Sequence, residues 1–210
     1  MASSYADQIP VVVHLLQKLR PRTLLDVGKG FGKYGFLAHE YVGVPMDIAP
    51  DPRRTLAEQS ALVIDAVEVQ ATYLWPHLAH FYRHVQVGRI EELYLGLPDY
   101  DLVLMADVIE HLEKPAALEI LRHLLARGST IIVTTPRKFY RQDLFQSVHE
   151  RHVSHWEPSD FAFAPFVDYQ NAGDGRVFLL AKSRSPIRGF GRSLVTRARR
   201  VARLLLAEFR

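Results

Sequence analysis

Hydrophobic residues along the chain follow two alternating patterns. Short continuous runs of aliphatic and β-branched residues predict buried strands over 23–27, 62–68, 85–87, within 100–112 and over 130–135. Apolar positions spaced three and four residues apart predict helices over 5–20, from 33 onwards, over 71–83 and over 115–125. Strands that alternate with helices predict an α/β domain with a parallel sheet.

The end of this domain has a different pattern. Two strand-like runs, 167–170 and 176–182, flank a turn at 173–175 that contains two glycines, which predicts an antiparallel hairpin. Residues 157–161 predict a helix start, with Pro158 in the first turn and Ser159 or Asp160 as its cap.

A glycine-rich loop joins the first strand to the helix after it. Gly28, Gly30 and Gly32 let the backbone turn sharply, and the loop presents N–H groups at a helix N-terminus. Asp26 just before the loop repels phosphate and suits a ligand with positive charge. The loop is one residue short of the dinucleotide-binding fingerprint. A tight turn that binds nothing is the alternative.

Three motifs together resemble the class I S-adenosylmethionine-dependent methyltransferases over roughly residues 20–182. The acidic residue before Gly-x-Gly-x-Gly matches the first motif of that family, and Asp-Val-Ile-Glu-His-Leu at 107–112 resembles its strand-four motif. The branch with a Gly-Phe-Gly-Lys-Tyr-Gly loop often has Glu-x-His-x-Ser-x-Trp after strand five, as at 150–156. The resemblance implies a Rossmann-like, seven-stranded, mostly parallel sheet with helices on both faces.

The resemblance also implies S-adenosylmethionine as cofactor and S-adenosylhomocysteine as product. The residues that it assigns to the cofactor lie at strand ends: Asp26, Gly28, Lys29, Gly30, Gly32, Glu68, Arg89, Ile90, Asp107 and Val108. Glu68 ends the second strand and would accept both ribose hydroxyls, because a carboxylate accepts two hydrogen bonds side by side. A solvated strand end is the alternative for Glu68. Glu68 lies further along the chain from the glycine loop than is usual, which indicates an insertion at 41–60.

One cofactor position departs from the family pattern. Arg89 stands where the family often has an acidic residue that contacts the adenine amine. Ile90 could still pack on the adenine ring, or Glu91 could replace the acidic residue. The first helix, in this family, packs under the cofactor site; a plain covering helix is the alternative.

Methyl transfer requires alignment of the acceptor and, for a hydroxyl acceptor, removal of a proton. A histidine suits that task because its pKa lies near neutrality. His152 is the first candidate for the base and His111 the second, with Glu110 also on the acceptor side. Capping and loop packing are the alternative roles for these side chains.

We expect no metal. His149, His152 and His155 are spaced by three and would share one face of a helix, where they could bind a metal. The residues between them favour loop or extended chain, which would separate the three rings. Asp107 and Glu110 could add carboxylate ligands.

Composition narrows the classes of function. The chain has 210 residues, 48% hydrophobic and 23% charged, which is typical of one globular domain. It has no cysteine, so disulfides, thiolate metal sites and a cysteine nucleophile are excluded. No apolar run has the length of a transmembrane helix, and the first residues do not resemble a secretory signal. We expect a cytoplasmic protein.

Charge separates the domain at 1–182 from a basic amphipathic helical tail at 183–210. Residues 185–210 carry a net +6 and the remainder −3, for a total of +3. The acidic body argues against nucleic acid as a partner. Leu194 to Phe209 has an apolar side and an arginine side, which suits packing on the body or a homodimer, contact with the inner membrane surface, or nucleic acid.

The sequence therefore predicts methyl transfer to a small-molecule acceptor. A hydroxyl of a sugar, a lipid-linked saccharide or a secondary metabolite is favoured over nitrogen. The alternatives are an RNA- or protein-directed methyltransferase, and a cofactor-binding regulatory protein without catalytic activity.

Overall fold

The computed structural model describes residues 5–44, 51–140 and 150–183. Its centre is a seven-stranded sheet in the order β3-β2-β1-β4-β5-β7-β6, with β7 antiparallel to both of its neighbours and the other pairs parallel. The strands are β1 Thr23–Val27, β2 Val63–Glu68, β3 His84–Val87, β4 Leu102–Ala106, β5 Thr130–Pro136, β6 Phe166–Ala172 and β7 Gly175–Ala181. The predicted fold, a Rossmann-like mostly parallel sheet, is confirmed.

Helices cover both faces of the sheet. The α-helices are α1 Gln8–Leu19, α2 Lys33–Ala38, α3 Leu56–Gln59, α4 Ile90–Leu93 and α5 Lys114–Ala126. A π-helical turn, His39–Gly43, continues α2. Single 3₁₀ turns are formed by Ala71–Tyr73, Pro76–His80, Tyr94–Gly96, Ile109–His111 and Pro158–Phe161.

Strand residues alternate between two cores. Leu25, Val103 and Ile131 pack with α5 on one face of the sheet, whereas Leu24 and Leu104 pack with α1 and α2 on the other. Both sets are fully buried, as expected for the central strands of a parallel sheet. The same alternation fixes the direction in which each polar strand residue points.

The predicted helix over 71–83 is wrong. The segment instead forms the two 3₁₀ turns at Ala71–Tyr73 and Pro76–His80, followed by β3. Pro76 explains the break, because proline lacks an N–H and forces the residue before it into an extended conformation. Trp75 has φ −101° and ψ 150° accordingly.

The cap predicted at Ser159 or Asp160 is also wrong. Because Pro158 occupies the first position of the 3₁₀ turn, the cap falls on Glu157. The Asp160 side chain accepts the Glu157 N–H at 2.7 Å. The hairpin between β6 and β7 is confirmed, with Gly173 at φ +57° in its turn.

The arginine-rich tail, predicted to be helical, lies outside the described residues, apart from its first residue. Within the described ranges, no helix is long and apolar enough to cross a membrane.

Candidate active site

A cavity of about 720 Å³ opens at the carboxyl ends of β1, β2, β4 and β5. The direction in which strands are added reverses between β1 and β4. Ligands of open α/β sheets bind at such a switch point, outside the carboxyl ends of the strands. The volume is in the range of small-molecule binding sites.

The glycine loop forms one wall of this cavity. Gly28 has φ +68°, and a Cβ there would lie 2.4 Å from the Val108 side chain. Gly30 has φ +52° with no atom within 4 Å of a Cβ position, so its backbone faces open cavity. Gly32 begins α2, packs near Leu78 and does not line the cavity.

Glu68 supports the loop from β2. One carboxylate oxygen accepts the Gly30 N–H at 3.1 Å, and the other accepts the Gln70 N–H at 2.9 Å. Each oxygen keeps a second lone pair, so the buried carboxylate can still accept hydroxyl groups from the cavity that it lines. The geometry fits the predicted role of Glu68.

Lys29 stabilises the glycine loop from inside the site. Its buried ammonium donates to the carbonyls of Gly30 at 3.1 Å and Tyr73 at 2.9 Å, and so ties the glycine loop to the 3₁₀ turn after β2. Burial lowers the pKa of Lys29, and the carboxylates of Glu68 and Asp26 oppose that change.

Asp26 lies beneath the loop and does not line the cavity. Its side chain is 1% exposed, and Oδ2 accepts a hydrogen bond from the Tyr82 hydroxyl at 2.6 Å. Oδ1 has no hydrogen-bond partner among the described residues. Burial raises the pKa of Asp26 to about 7, although the Tyr82 hydrogen bond and the Lys29 charge act in the opposite direction.

Arg89, the residue that departs from the family pattern, lies in the cavity wall. Arg89 forms an ion pair with Glu91, and its Nε lies 3.9 Å from the carboxylate of Glu92. Arg89, Ile90 and Glu91 all line the cavity, as expected for residues at an adenine subsite. Glu91 thus lies in the cavity wall as the ion-pair partner of Arg89, and its contact with adenine stays a prediction.

Asp107 ends β4 in a left-handed conformation, with φ +52°. Its Oδ1 accepts hydrogen bonds from Thr134 Oγ1 at 3.0 Å and from Gln8 Nε2 at 3.2 Å. These bonds fix the carboxylate at the cavity wall, beside Val108. Gln8 is fully buried in α1, so the first helix contributes directly to the site. The contact of Gln8 with Asp107 was not predicted from sequence.

Three predicted catalytic side chains meet on the acceptor side. Glu110, His111 and His152 each offer one ligand atom, and these atoms lie within 4.8 Å of one another. His111 Nδ1 is 3.1 Å from the Arg151 carbonyl, and His152 Nδ1 is 3.1 Å from the Tyr140 carbonyl. A carbonyl only accepts, so each Nδ1 carries the proton of the neutral ring and each Nε2 keeps its lone pair.

Burial dominates the electrostatics of this cluster. Glu110 is 2% exposed, and burial together with the Asp107 charge raises its pKa well above the ordinary value. Its Oε2 has no hydrogen-bond partner among the described residues. Burial lowers the pKa of His111 and of His152, so both rings are neutral at pH 7.

The irregular segment 150–156 carries His152 to the cluster. The N–H groups of Val153 and Ser154 donate to the Glu110 carbonyl at 2.8 and 3.1 Å. Trp156 is fully buried, and its Nε1 donates to the Ile109 carbonyl at 3.1 Å. The Glu-x-His-x-Ser-x-Trp motif therefore docks this segment on the turn after β4.

His152 and His155 do not share a site. His152 lines the cavity, whereas His155 does not and pairs with Glu157 at 3.0 Å. His149 lies outside the described residues. The expectation of loop or extended chain in place of a helix is confirmed, because Arg151 is in a bend and residues 152–157 have no regular secondary structure.

Aromatic residues complete the cavity wall and were missed from sequence. The hydroxyls of Tyr5 and Tyr140 are 2.9 Å apart, and Tyr73 lies near Glu150 with a 3.4 Å contact between side-chain oxygens. All four line the cavity. None of the three tyrosines was predicted as a site residue, whereas Glu150 was noted as the first residue of the motif at 150–156.

No protein-family model matches the chain, and no curated protein sequence matches it. Solved structures do match, and their shared class is the methyltransferase fold.

The structure of monomeric WbdD is 18% identical, with a TM-score of 0.59 over 90% of this chain and 44% of that one. Human N-acetylserotonin methyltransferase in complex with SAM is 14% identical, with a TM-score of 0.54 over 84% and 52%. The methyltransferase domain of bacterial CtHen1 is 18% identical, with a TM-score of 0.51 over 83% and 97%. The chain spans about half the length of the first two. At these identities the comparisons establish the fold.

Proposed function

We propose that this protein transfers a methyl group from S-adenosylmethionine to a hydroxyl of a small-molecule acceptor. The observation that carries the proposal is the cavity at the switch point, with backbone and carboxylate groups on one side and the Glu110, His111 and His152 cluster on the other. A human protein of the same fold was solved with SAM bound, and its name identifies N-acetylserotonin, a small molecule, as its acceptor.

The cofactor half fits a nucleoside attached to an amino acid. The open backbone at Gly30 gives room for close approach, and Glu68 offers lone pairs for ribose hydroxyls. Ile90 supplies an apolar surface and Glu91 a carboxylate for the adenine end, and Asp107 also lines the cavity. When bound, the cofactor supplies an electrophilic methyl group on a sulfonium.

The acceptor half fits a hydroxyl that loses a proton. The neutral rings of His111 and His152 each keep an Nε2 lone pair, and both residues line the cavity beside Asp107. His152 as the proton acceptor stays a prediction. A sugar, a lipid-linked saccharide and a secondary metabolite are all compatible with this cavity.

Calorimetric titration with S-adenosylhomocysteine tests the cofactor assignment. We expect micromolar binding to the wild type and a loss of at least about tenfold in Gly30→Ala, because the added methyl group enters the cavity at a positive φ. Gly128→Ala is the matched control: Gly128 also has a positive φ, +101°, with no atom near its Cβ position, but does not line the cavity. Equal affinity in both variants would reject the proposed binding mode.

A further inference from the structure

We propose that Glu110, His111 and His152 bind a divalent first-row transition-metal ion. One carboxylate oxygen and two imidazole nitrogens lie within 4.8 Å of one another, at the wall of the cavity. Two histidines with one carboxylate form a common ligand set for such ions, and they leave coordination positions open. This proposal departs from the sequence-based expectation of no metal.

The hydrogen bonds of both histidines prepare them as ligands. His111 Nδ1 donates to the Arg151 carbonyl and His152 Nδ1 donates to the Tyr140 carbonyl, each at 3.1 Å. Histidines that bind metals typically donate their second ring N–H to a carbonyl or carboxylate, which fixes the tautomer and the ring orientation. Here the Nε2 atom of each histidine keeps a lone pair that can bind an ion.

The Glu110 carboxyl group provides an independent second observation. It is 2% exposed, and its Oε2 has no hydrogen-bond partner among the described residues. A buried carboxyl oxygen without a partner is costly, and a bound cation would remove that cost. Within the ranges that the structure describes, no lysine or arginine forms an ion pair with Glu110.

The backbone holds the three ligands in place before any ion arrives. Glu110 and His111 share the Ile109–His111 turn, and the Glu110 carbonyl accepts two N–H groups from the segment that carries His152. Trp156 anchors the same segment in the core. A preorganised ligand set loses little entropy on binding an ion.

The ligand types identify the class of ion. Imidazole nitrogen favours zinc, cobalt, nickel, iron and related ions, whereas magnesium and calcium prefer an all-oxygen set. We therefore expect Co²⁺, Ni²⁺ or Zn²⁺ to bind more tightly than Mg²⁺.

The consequence for chemistry rests on the proposed methyl transfer. An acceptor hydroxyl in an open position of the ion would have a lowered pKa and would lose its proton to water more readily. His152 would then act as a metal ligand instead of a free base. Its Nε2 lone pair cannot do both at once.

Titration of the metal-free full-length protein with Co²⁺, without cofactor, tests the proposal. Binding is followed by visible absorption and by calorimetry. We expect micromolar affinity for the wild type, and a loss in His111→Ala and His152→Ala that exceeds the roughly 10–100-fold cost of outer-shell changes. His155→Ala is the matched control, because His155 is nearby but pairs with Glu157, and it should bind Co²⁺ like the wild type.

Two results would overturn the metal site. One is a folded wild type that shows no saturable Co²⁺ binding below about 1 mM, well outside the range of specific affinities. The other is unchanged Co²⁺ affinity in Glu110→Gln together with unchanged affinity in the double variant His111→Ala/His152→Ala. Titration of the same samples with S-adenosylhomocysteine keeps the outcomes separate, because cofactor binding without Co²⁺ binding rejects only the metal.

Discussion

The buried polar groups in the two halves of the cavity differ in their hydrogen bonding. On the cofactor side, both carboxylate oxygens of Glu68 accept backbone N–H groups, and the Lys29 ammonium donates to two carbonyls. On the acceptor side, Glu110 Oε2 has no hydrogen-bond partner among the described residues, and ligand atoms of Glu110, His111 and His152 lie within 4.8 Å of one another. The cofactor half is thus built to keep its shape, whereas the acceptor half keeps bonding capacity for a ligand.

The largest effect should come from removing the anchor of the acceptor half. Trp156→Ala deletes a fully buried ring and the hydrogen bond to the Ile109 carbonyl, so we expect a loss of about 3–5 kcal/mol in the free energy of unfolding, measured with urea. Trp75→Ala, where the ring is only half-buried and packs on Phe31, is the control and should cost less than half as much. An equal loss in the free energy of unfolding for both variants would contradict the role of Trp156 as the anchor of the acceptor half.

Asp26 gives a pH-dependent effect beneath the cofactor half. Its pKa is raised from 3.8 to about 7 by burial, so the native state holds a proton that the unfolded state releases above pH 4. Asp26 therefore lowers the free energy of unfolding as the pH rises towards 7, and the penalty is complete above that value. Asp26→Asn removes this titration while an amide oxygen can still accept from Tyr82.

We expect the stability of Asp26→Asn relative to the wild type to increase by up to about 3 kcal/mol between pH 5 and pH 8. Urea unfolding at several pH values measures it. Any constant cost of the buried amide cancels in this difference. A relative stability that is flat with pH would show that Asp26 is ionised throughout.

A smaller effect is expected for Glu68→Gln. The amide would place N–H donors against a backbone N–H, at either Gly30 or Gln70, and would weaken the acceptor for ribose hydroxyls. We expect S-adenosylhomocysteine affinity to fall about 10–100-fold, or roughly 1.5–3 kcal/mol. Glu119→Gln, at a carboxylate bonded to Tyr94 outside the cavity, should leave the affinity unchanged.

The strands were predictable because they are buried on both faces. Continuous apolar runs placed β1, β2 and β5 within one residue and placed β4 inside the stretch 100–112, and the glycine spacing placed the loop. The failure over 71–83 has a local cause, since Pro76 interrupts a pattern that otherwise fits a helix. Strand alternation would have placed Asp26 on the α2 face, away from the cavity.

The acceptor cluster was predictable only in part. Glu110 and His111 follow a recognisable strand, but their meeting with His152 depends on main-chain hydrogen bonds between residues about 40 positions apart. The spacing of hydrophobic residues along the sequence does not predict such bonds. The contributions of Gln8 and Tyr140 depend on tertiary hydrogen bonds that involve side chains.

The most direct measurement is a calorimetric titration of S-adenosylhomocysteine into the wild type and into the double variant His111→Ala/His152→Ala. If the cofactor half is complete in itself, both proteins bind with micromolar affinity and differ by no more than about twofold. Absence of binding by the folded wild type would contradict the methyltransferase assignment. Loss of binding in the double variant alone would contradict the separation of the two halves.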